Sequence, residues 1–95
     1  MKSQASGLEE LRARIDDIDQ RILELLAQRV ETVMRVGDYK RARGMAVYDP
    51  ERERSMLDRL GHAAPLPLDH ETVRHIFERV IDECRRIEQH HIRRT

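Results

Sequence analysis

One long amphipathic stretch without proline, from Leu8 to about Arg43, limits the folds open to this chain. Its apolar positions advance in alternating steps of four and three residues, which is typical of a helix with a coiled-coil-like seam. The seam residues are Leu11, Ile15, Ile18, Ile22 and Leu25, and the same rhythm continues through Arg29, Val33, Val36 and Lys40. The only glycine in this stretch, Gly37, does not predict a break, because an isolated glycine costs a helix only about 1 kcal/mol.

This stretch is too long to fit inside a compact chain of 95 residues. At about 1.5 Å per residue, about 36 helical residues span roughly 54 Å. A compact domain of this length has a radius of gyration of only about 12 Å. The first helix would therefore project from the globule with its seam exposed, and we expect a two-fold homodimer in which two copies cover each other's seam. The alternative is a monomer whose first helix bends back at Gly37.

Two shorter helices follow, and each begins at a recognisable cap. Asp49 caps a helix that has Pro50 in its first position and ends near Gly61. After a proline-containing loop, Asp69 caps a third helix that runs to about Ile92. The apolar seam of this helix is Val73, Phe77, Val80, Cys84 and Ile87. The predicted fold is all-α, with one long, one short and one medium helix per chain in an intertwined homodimer.

Composition excludes several classes of function. Residues 1–7 are polar and small and predict a flexible N-terminus, which leaves one domain over residues 8–95. The 18 Lys and Arg residues balance 18 Asp and Glu residues, which argues against nucleic-acid binding. No apolar run is long enough for a signal peptide or membrane span, so we expect a cytoplasmic protein. The single cysteine and the scattered histidines predict no disulfide and no metal site.

Charged residues interrupt the apolar rhythm of the first helix. Arg29 occupies a position where an aliphatic residue is expected, and Lys40, three turns later, shares its face. A buried cation is costly unless an anion compensates it. The anion is either a bound ligand or an internal carboxylate such as Glu53 or Glu88, and helix periodicity leaves both alternatives open.

Three further charged positions are ambiguous by themselves. Arg12 lies about 25 Å along the helix from Arg29, so one small ligand cannot touch both in the same chain. An antiparallel partner chain would bring the two together, although Arg12 alone is most simply a solvated residue. The charge run over 51–54 is typical of a solvated helix face. Glu88 lies beside the apolar seam of the third helix, a position that is typical of a flanking surface residue.

Taken together, these segments resemble the all-helical chorismate mutases. The resemblance rests on residues 11–16 (LRARID), 18–19 (ID), 22–29 (ILELLAQR), 36–40 (VGDYK) and 47–53 (VYDPERE), in order and at matching separations. It covers roughly residues 8–92. It implies an intertwined dimer with two active sites that rearranges chorismate to prephenate for aromatic amino-acid biosynthesis, with no cofactor.

The resemblance also implies roles for individual residues. The implied substrate-binding residues are the partner subunit's Arg12 together with Arg29, Lys40, Asp49, Arg52, Glu53, Cys84 and Glu88. Within this set, Arg29 grips a carboxylate, Lys40 contacts the ether oxygen and a carboxylate, and Glu53 bonds a substrate hydroxyl. Arg52 also meets the substrate, and Asp49 has a lesser role. Lys40, Glu88 and Arg29 are the implied catalytic residues.

Two positions depart from the best-known bacterial pattern. Cys84 replaces a familiar serine, so a hydroxyl contact to the ligand becomes a weaker thiol contact. Glu88 replaces a glutamine that donates a hydrogen bond to the ether oxygen, although some members of the family carry glutamate. An ionised carboxylate has no proton to donate and repels a dianion. Glu88 must therefore be protonated to assist the reaction.

Two other functions fit the same scaffold. Isochorismate pyruvate lyase shares it and uses an isomeric substrate, so charge placement scarcely separates the two enzymes. The alternative from another class is a non-catalytic helical dimer that regulates another shikimate-pathway enzyme. That alternative predicts no turnover and no requirement for Arg29 or Lys40.

Overall fold

The computed structural model describes the backbone of residues 4–94 and the side chains of residues 7–92. Three α-helices follow one another: α1 (Gln4–Ala42), α2 (Pro50–His62) and α3 (His70–Arg94). No strand occurs in the described range, so the prediction of an all-α chain with three helices is confirmed. The first helix begins at Gln4 rather than Leu8, and residues 1–3 of the segment predicted to be flexible lie outside the described residues.

Both shorter helices begin at the predicted aspartates. The side chain of Asp49 accepts a hydrogen bond from the backbone N–H of Arg52 at 3.1 Å. Asp69 accepts one from the backbone N–H of Thr72 at 2.8 Å. Each bond satisfies a backbone donor that the first helical turn leaves unpaired. The contact with Thr72 also holds the pKa of the Asp69 carboxyl below its usual value.

Gly44 ends α1 in a turn that fixes the backbone of Lys40. Gly44 has a φ of 66°, which an L side chain seldom adopts. Its N–H donates to the Arg41 carbonyl at 3.2 Å, and the Met45 N–H donates to the Lys40 carbonyl at 2.9 Å. These two bonds form a Schellman motif. The helix runs without interruption through Gly37, so the alternative in which it bends back there is wrong.

The packed part of the chain is small and centres on α3. This helix packs against both α1 and α2, whereas α1 and α2 make no comparable contact with each other in the described range. The buried apolar side chains are Leu57, Val73, Ile81 and Cys84. The second half of α1, from residue 26 onward, supplies half-buried residues to this core.

The first half of α1 packs against no other helix among the described residues. Every residue from 8 to 25 is exposed. The seam residues retain about half of their accessible surface: Leu11 55%, Ile15 56%, Ile18 53%, Ile22 48% and Leu25 63%. The radius of gyration is 18.0 Å, well above the value of about 12 Å for a compact chain. The prediction that α1 projects from the globule is confirmed.

Within residues 4–94, no helix combines the length and the apolar character needed to cross a lipid bilayer.

Candidate active site

The predicted site residues meet at a cavity of about 940 Å³ that is lined by all three helices and by the loop before α2. Seven of them line it: Arg29, Lys40, Asp49, Arg52, Glu53, Cys84 and Glu88. The eighth, Arg12, lies in the exposed first half of α1 and does not line the cavity of its own chain. The fold therefore brings together residues that are as much as 59 positions apart in the sequence.

Arg29 is held in place by two sulfur atoms. Its Nη1 donates to the Cys84 Sγ at 3.0 Å, and its Nη2 donates to the Met56 Sδ at 3.7 Å. Sulfur is a weak hydrogen-bond acceptor, so these contacts orient the guanidinium without supplying a carboxylate to pair with it. Arg29 thus keeps its charge and further N–H donors for an anion in the cavity. The sequence did not single out Met56 for this role.

The internal salt bridges considered for Arg29 and Lys40 do not form. Among the described residues, neither cation makes an ion pair with a carboxylate, and neither does Arg52. The ion pairs that do form involve other residues, as in Arg85 with Glu53, Arg41 with Asp38, Arg74 with Asp58 and Glu78, and Arg86 with Glu83. Arg29, Lys40 and Arg52 therefore remain available to an external anion.

Glu53 pairs with a residue that the sequence analysis missed. Arg85 on α3 donates through Nη2 to the Glu53 Oε1 atom, and the Arg85 Cζ atom lies 4.7 Å from the centre of the Tyr48 ring. The hydrogen bond to Glu53 raises the pKa of the Arg85 guanidinium above its usual value. One signal pointed to this position: Arg85 follows Ile81 by four residues and precedes Glu88 by three, so the three share a helix face.

Glu88 is buried against α1 at a glycine. The residue is 8% exposed, and its carboxylate lies against the backbone of Gly37. A Cβ atom at position 37 would overlap the Glu88 Oε2 atom and lie 3.1 Å from its Cδ. Gly37 is therefore not a hinge. Because it has no side chain, the Glu88 carboxylate can pack against the helix backbone at this position. The interpretation of Glu88 as a flanking surface residue is wrong.

We expect Gly37→Ala to reduce activity more than stability. The new methyl group displaces the Glu88 carboxylate from the cavity, and a small misplacement of a catalytic group can cost about a hundredfold in rate. Alanine is the better helix former by about 1 kcal/mol, which offsets part of the steric cost. Steady-state kinetics and thermal melting of the same samples measure both effects.

Gly7→Ala is the matched control, because a Cβ atom there meets no other atom within 4 Å. It should leave the kinetics unchanged. Equal activity of the Gly37→Ala variant and the native protein would remove Glu88 from the site.

The charges at the cavity suit an anion. Four cations line it, namely Arg29, Lys40, Arg52 and Arg85, against three carboxylates, namely Asp49, Glu53 and Glu88. With every group ionised the lining carries one net positive charge, although the whole chain is neutral. No group of three or more His, Cys, Asp or Glu side chains is arranged to hold a metal ion in the part of the chain that the structure describes.

The fold and cavity define an all-helical protein with a cavity lined by arginine and lysine side chains. The chain belongs to the chorismate mutase type II family, which matches residues 11–89.

Individual relatives agree with this membership. A solved structure of chorismate mutase (form II) from Thermus thermophilus is similar, with a TM-score of 0.82 and 31% identity over 87% of this chain and 94% of that chain. The bifunctional chorismate mutase/prephenate dehydratase of Stutzerimonas stutzeri is 34% identical over 92% of this chain, which spans about a quarter (25%) of that protein. A 4-amino-4-deoxychorismate mutase of Streptomyces venezuelae is 28% identical over 90% of this chain and 84% of its own length.

Proposed function

We propose that this protein is a chorismate mutase, an isomerase that rearranges chorismate to prephenate. The observation that carries the proposal is the set of three cations, Arg29, Lys40 and Arg52, that face one cavity without a carboxylate partner among the described residues. Chorismate is a compact dicarboxylate, so it supplies the missing negative charge. Membership of the chorismate mutase type II family supports the same assignment.

The reaction needs positioning and electrostatics rather than a covalent intermediate. One carbon–oxygen bond breaks while one carbon–carbon bond forms, and negative charge grows on the ether oxygen. Arg29 and Arg52 hold the carboxylates, because guanidinium groups make two parallel hydrogen bonds to a carboxylate. Lys40 stabilises the ether oxygen, and the protonated Glu88 donates to the same atom.

The remaining residues of the site orient the substrate. Glu53 accepts a hydrogen bond from the substrate hydroxyl. Cys84 holds Arg29 and offers only a weak thiol contact to the ligand. Asp49 acts mainly by capping α2, which fixes the first turn that carries Arg52 and Glu53.

The active form is an intertwined homodimer in which each site takes Arg12 from the other chain. The apolar seam left exposed between Leu11 and Leu25 supports this proposal, because a solitary amphipathic helix of this length gains its stability from packing. The charges of the lining support it too. With Glu88 protonated, as its role as a donor requires, the lining carries two positive charges, and the partner subunit's Arg12 adds a third that favours binding of a dicarboxylate. Sedimentation of the purified protein should give twice the 11.3 kDa chain mass.

The direct test of the activity is to follow chorismate loss and to identify the product. Prephenate supports the proposal. Salicylate and pyruvate from isochorismate would instead identify a lyase on the same scaffold. No turnover of either substrate would favour a non-catalytic regulatory dimer. The similarity to the Streptomyces protein adds 4-amino-4-deoxychorismate as a third substrate to assay.

Substitution tests the role of Glu88 as a hydrogen-bond donor to the ether oxygen. Glu88→Gln keeps a donor at this position and should retain turnover of chorismate, whereas Glu88→Ala removes the donor and should lower kcat/KM by about a hundredfold. Equal kcat/KM in the two variants would contradict a donor at position 88.

The relatives also point to a partner. The name of the Stutzerimonas stutzeri protein combines two activities, and this chain spans about a quarter (25%) of its length. We propose that the product passes to another shikimate-pathway enzyme that consumes prephenate. A cytoplasmic location and the absence of nucleic-acid and membrane partners stay predictions from the sequence.

A further inference from the structure

Arg85 is the one cation at the cavity that already has a carboxylate partner among the described residues. Its guanidinium bridges α3 to α2 through Glu53, stacks on the Tyr48 ring at 4.7 Å and lies 3.8 Å from the Asp82 carboxylate. The Arg85 and Glu53 side chains are about one-third and one-quarter exposed, at 34% and 27%. Three contacts thus hold Arg85 at one edge of the cavity, with its charge directed at Glu53.

This pairing changes what Glu53 can recognise. A carboxylate has about four lone-pair sites on two oxygens, so the bond to Arg85 leaves capacity to accept a further hydrogen bond. A neutral hydroxyl takes that place at no electrostatic cost. An ammonium group, in contrast, meets two opposed charges: the Glu53 carboxylate attracts it, and the adjacent Arg85 guanidinium repels it by an amount worth about tenfold in affinity at protein-surface dielectric.

We propose that Arg85 is a specificity-determining residue that makes Glu53 select a substrate hydroxyl over a substrate ammonium. The proposal rests on the proposed function, because it concerns the group of the substrate that meets Glu53. Arg85 acts through Glu53 and is therefore a positioning residue rather than a catalytic one. It favours chorismate over its analogue 4-amino-4-deoxychorismate, whose aliphatic amine is largely protonated at neutral pH.

The test compares kcat/KM for chorismate with kcat/KM for 4-amino-4-deoxychorismate in the same enzyme preparation. Arg85→Met keeps the length of the side chain and removes its charge. We expect the ratio of the two constants to shift by about tenfold toward the amino substrate. Both substrates carry the same two carboxylates, so any general loss of anion binding or folded protein cancels in the ratio.

Two variants control for effects unrelated to Glu53. Arg86→Met removes the neighbouring arginine, which lies outside the cavity lining and is paired with Glu83 at 2.8 Å and 3.0 Å. Its ratio should equal that of the native protein. Arg85→Lys retains the positive charge and should restore most of the preference for the hydroxyl.

A double-mutant cycle shows whether Arg85 acts through Glu53. In a Glu53→Gln background, Arg85→Met should shift the ratio less, because the Glu53 carboxylate no longer holds the Arg85 guanidinium beside the substrate group. An unchanged ratio in Arg85→Met, or an equal shift with and without Glu53, would overturn the inference and leave the mutase assignment intact. A native protein that turns over neither substrate would overturn both.

Discussion

Arg29→Ala should reduce kcat/KM for chorismate by about a thousandfold while the protein remains folded. The loss is this large because Arg29 is half-buried, carries no carboxylate partner among the described residues, and is aimed into the cavity by Cys84 and Met56. Removing one preorganised donor from an electrostatic site typically costs about a hundredfold to a thousandfold. Product-resolved kinetics, with circular dichroism on the same samples, measure the effect.

A second arginine on α1 provides the matched control. Arg35 is exposed and lies outside the cavity lining, so Arg35→Ala should keep native kinetics. Arg29→Lys should recover only part of the lost activity, because an ammonium cannot make the paired hydrogen bonds of a guanidinium. Full turnover in Arg29→Ala would remove the central assignment and favour a non-catalytic helical module.

Mixing two inactive variants should restore activity if each site draws on both chains. Arg12→Ala and Arg29→Ala each damage both sites of a homodimer. In a hybrid of the two, one site combines both substitutions, whereas the other has a native Arg12 from one chain and a native Arg29 from its partner. After unfolding and joint refolding at equal amounts, about half of the dimers are hybrids. The expected recovery is about a quarter of native activity.

The control for this experiment uses two residues that the same chain contributes to each site. Arg29→Ala mixed with Lys40→Ala leaves every hybrid site with one defect, so no recovery is expected. Recovery in both mixtures would show that substitutions do not segregate between sites in the proposed way. Failure of both mixtures, or full activity in a particle of single-chain mass, would contradict the interlocked dimer.

Local sequence patterns accounted for most of the fold. The spacing of apolar residues in α1 predicted a continuous helix, because helix periodicity is a property of neighbouring residues and needs no tertiary information. Asp49 and Asp69 predicted the starts of α2 and α3 for the same reason: a cap acts on N–H groups two or three residues away. The projection of α1 followed from its length alone.

The sequence also identified most of the candidate site, although by a different route. A cation in an apolar seam marked Arg29 and Lys40, while Asp49, Arg52, Glu53, Cys84 and Glu88 came from the family resemblance. Their placement around one cavity agrees with that set. Their roles in catalysis remain proposals, as does the crossing of Arg12 into the partner's site.

The positions of the helices and the charges that interrupt their seams could be predicted from the sequence, because residues a few positions apart set both. The pairing of those charges depends on how the helices pack against one another. In the structure, Glu53 pairs with Arg85, and Arg29 contacts two sulfur atoms. Glu88 lies against the backbone of Gly37. Such contacts depend on how α2 and α3 dock against each other and on α1. A choice between an Arg29 salt bridge and an Arg85 salt bridge turns on ångström-scale distances between helices, which periodicity along one helix does not encode.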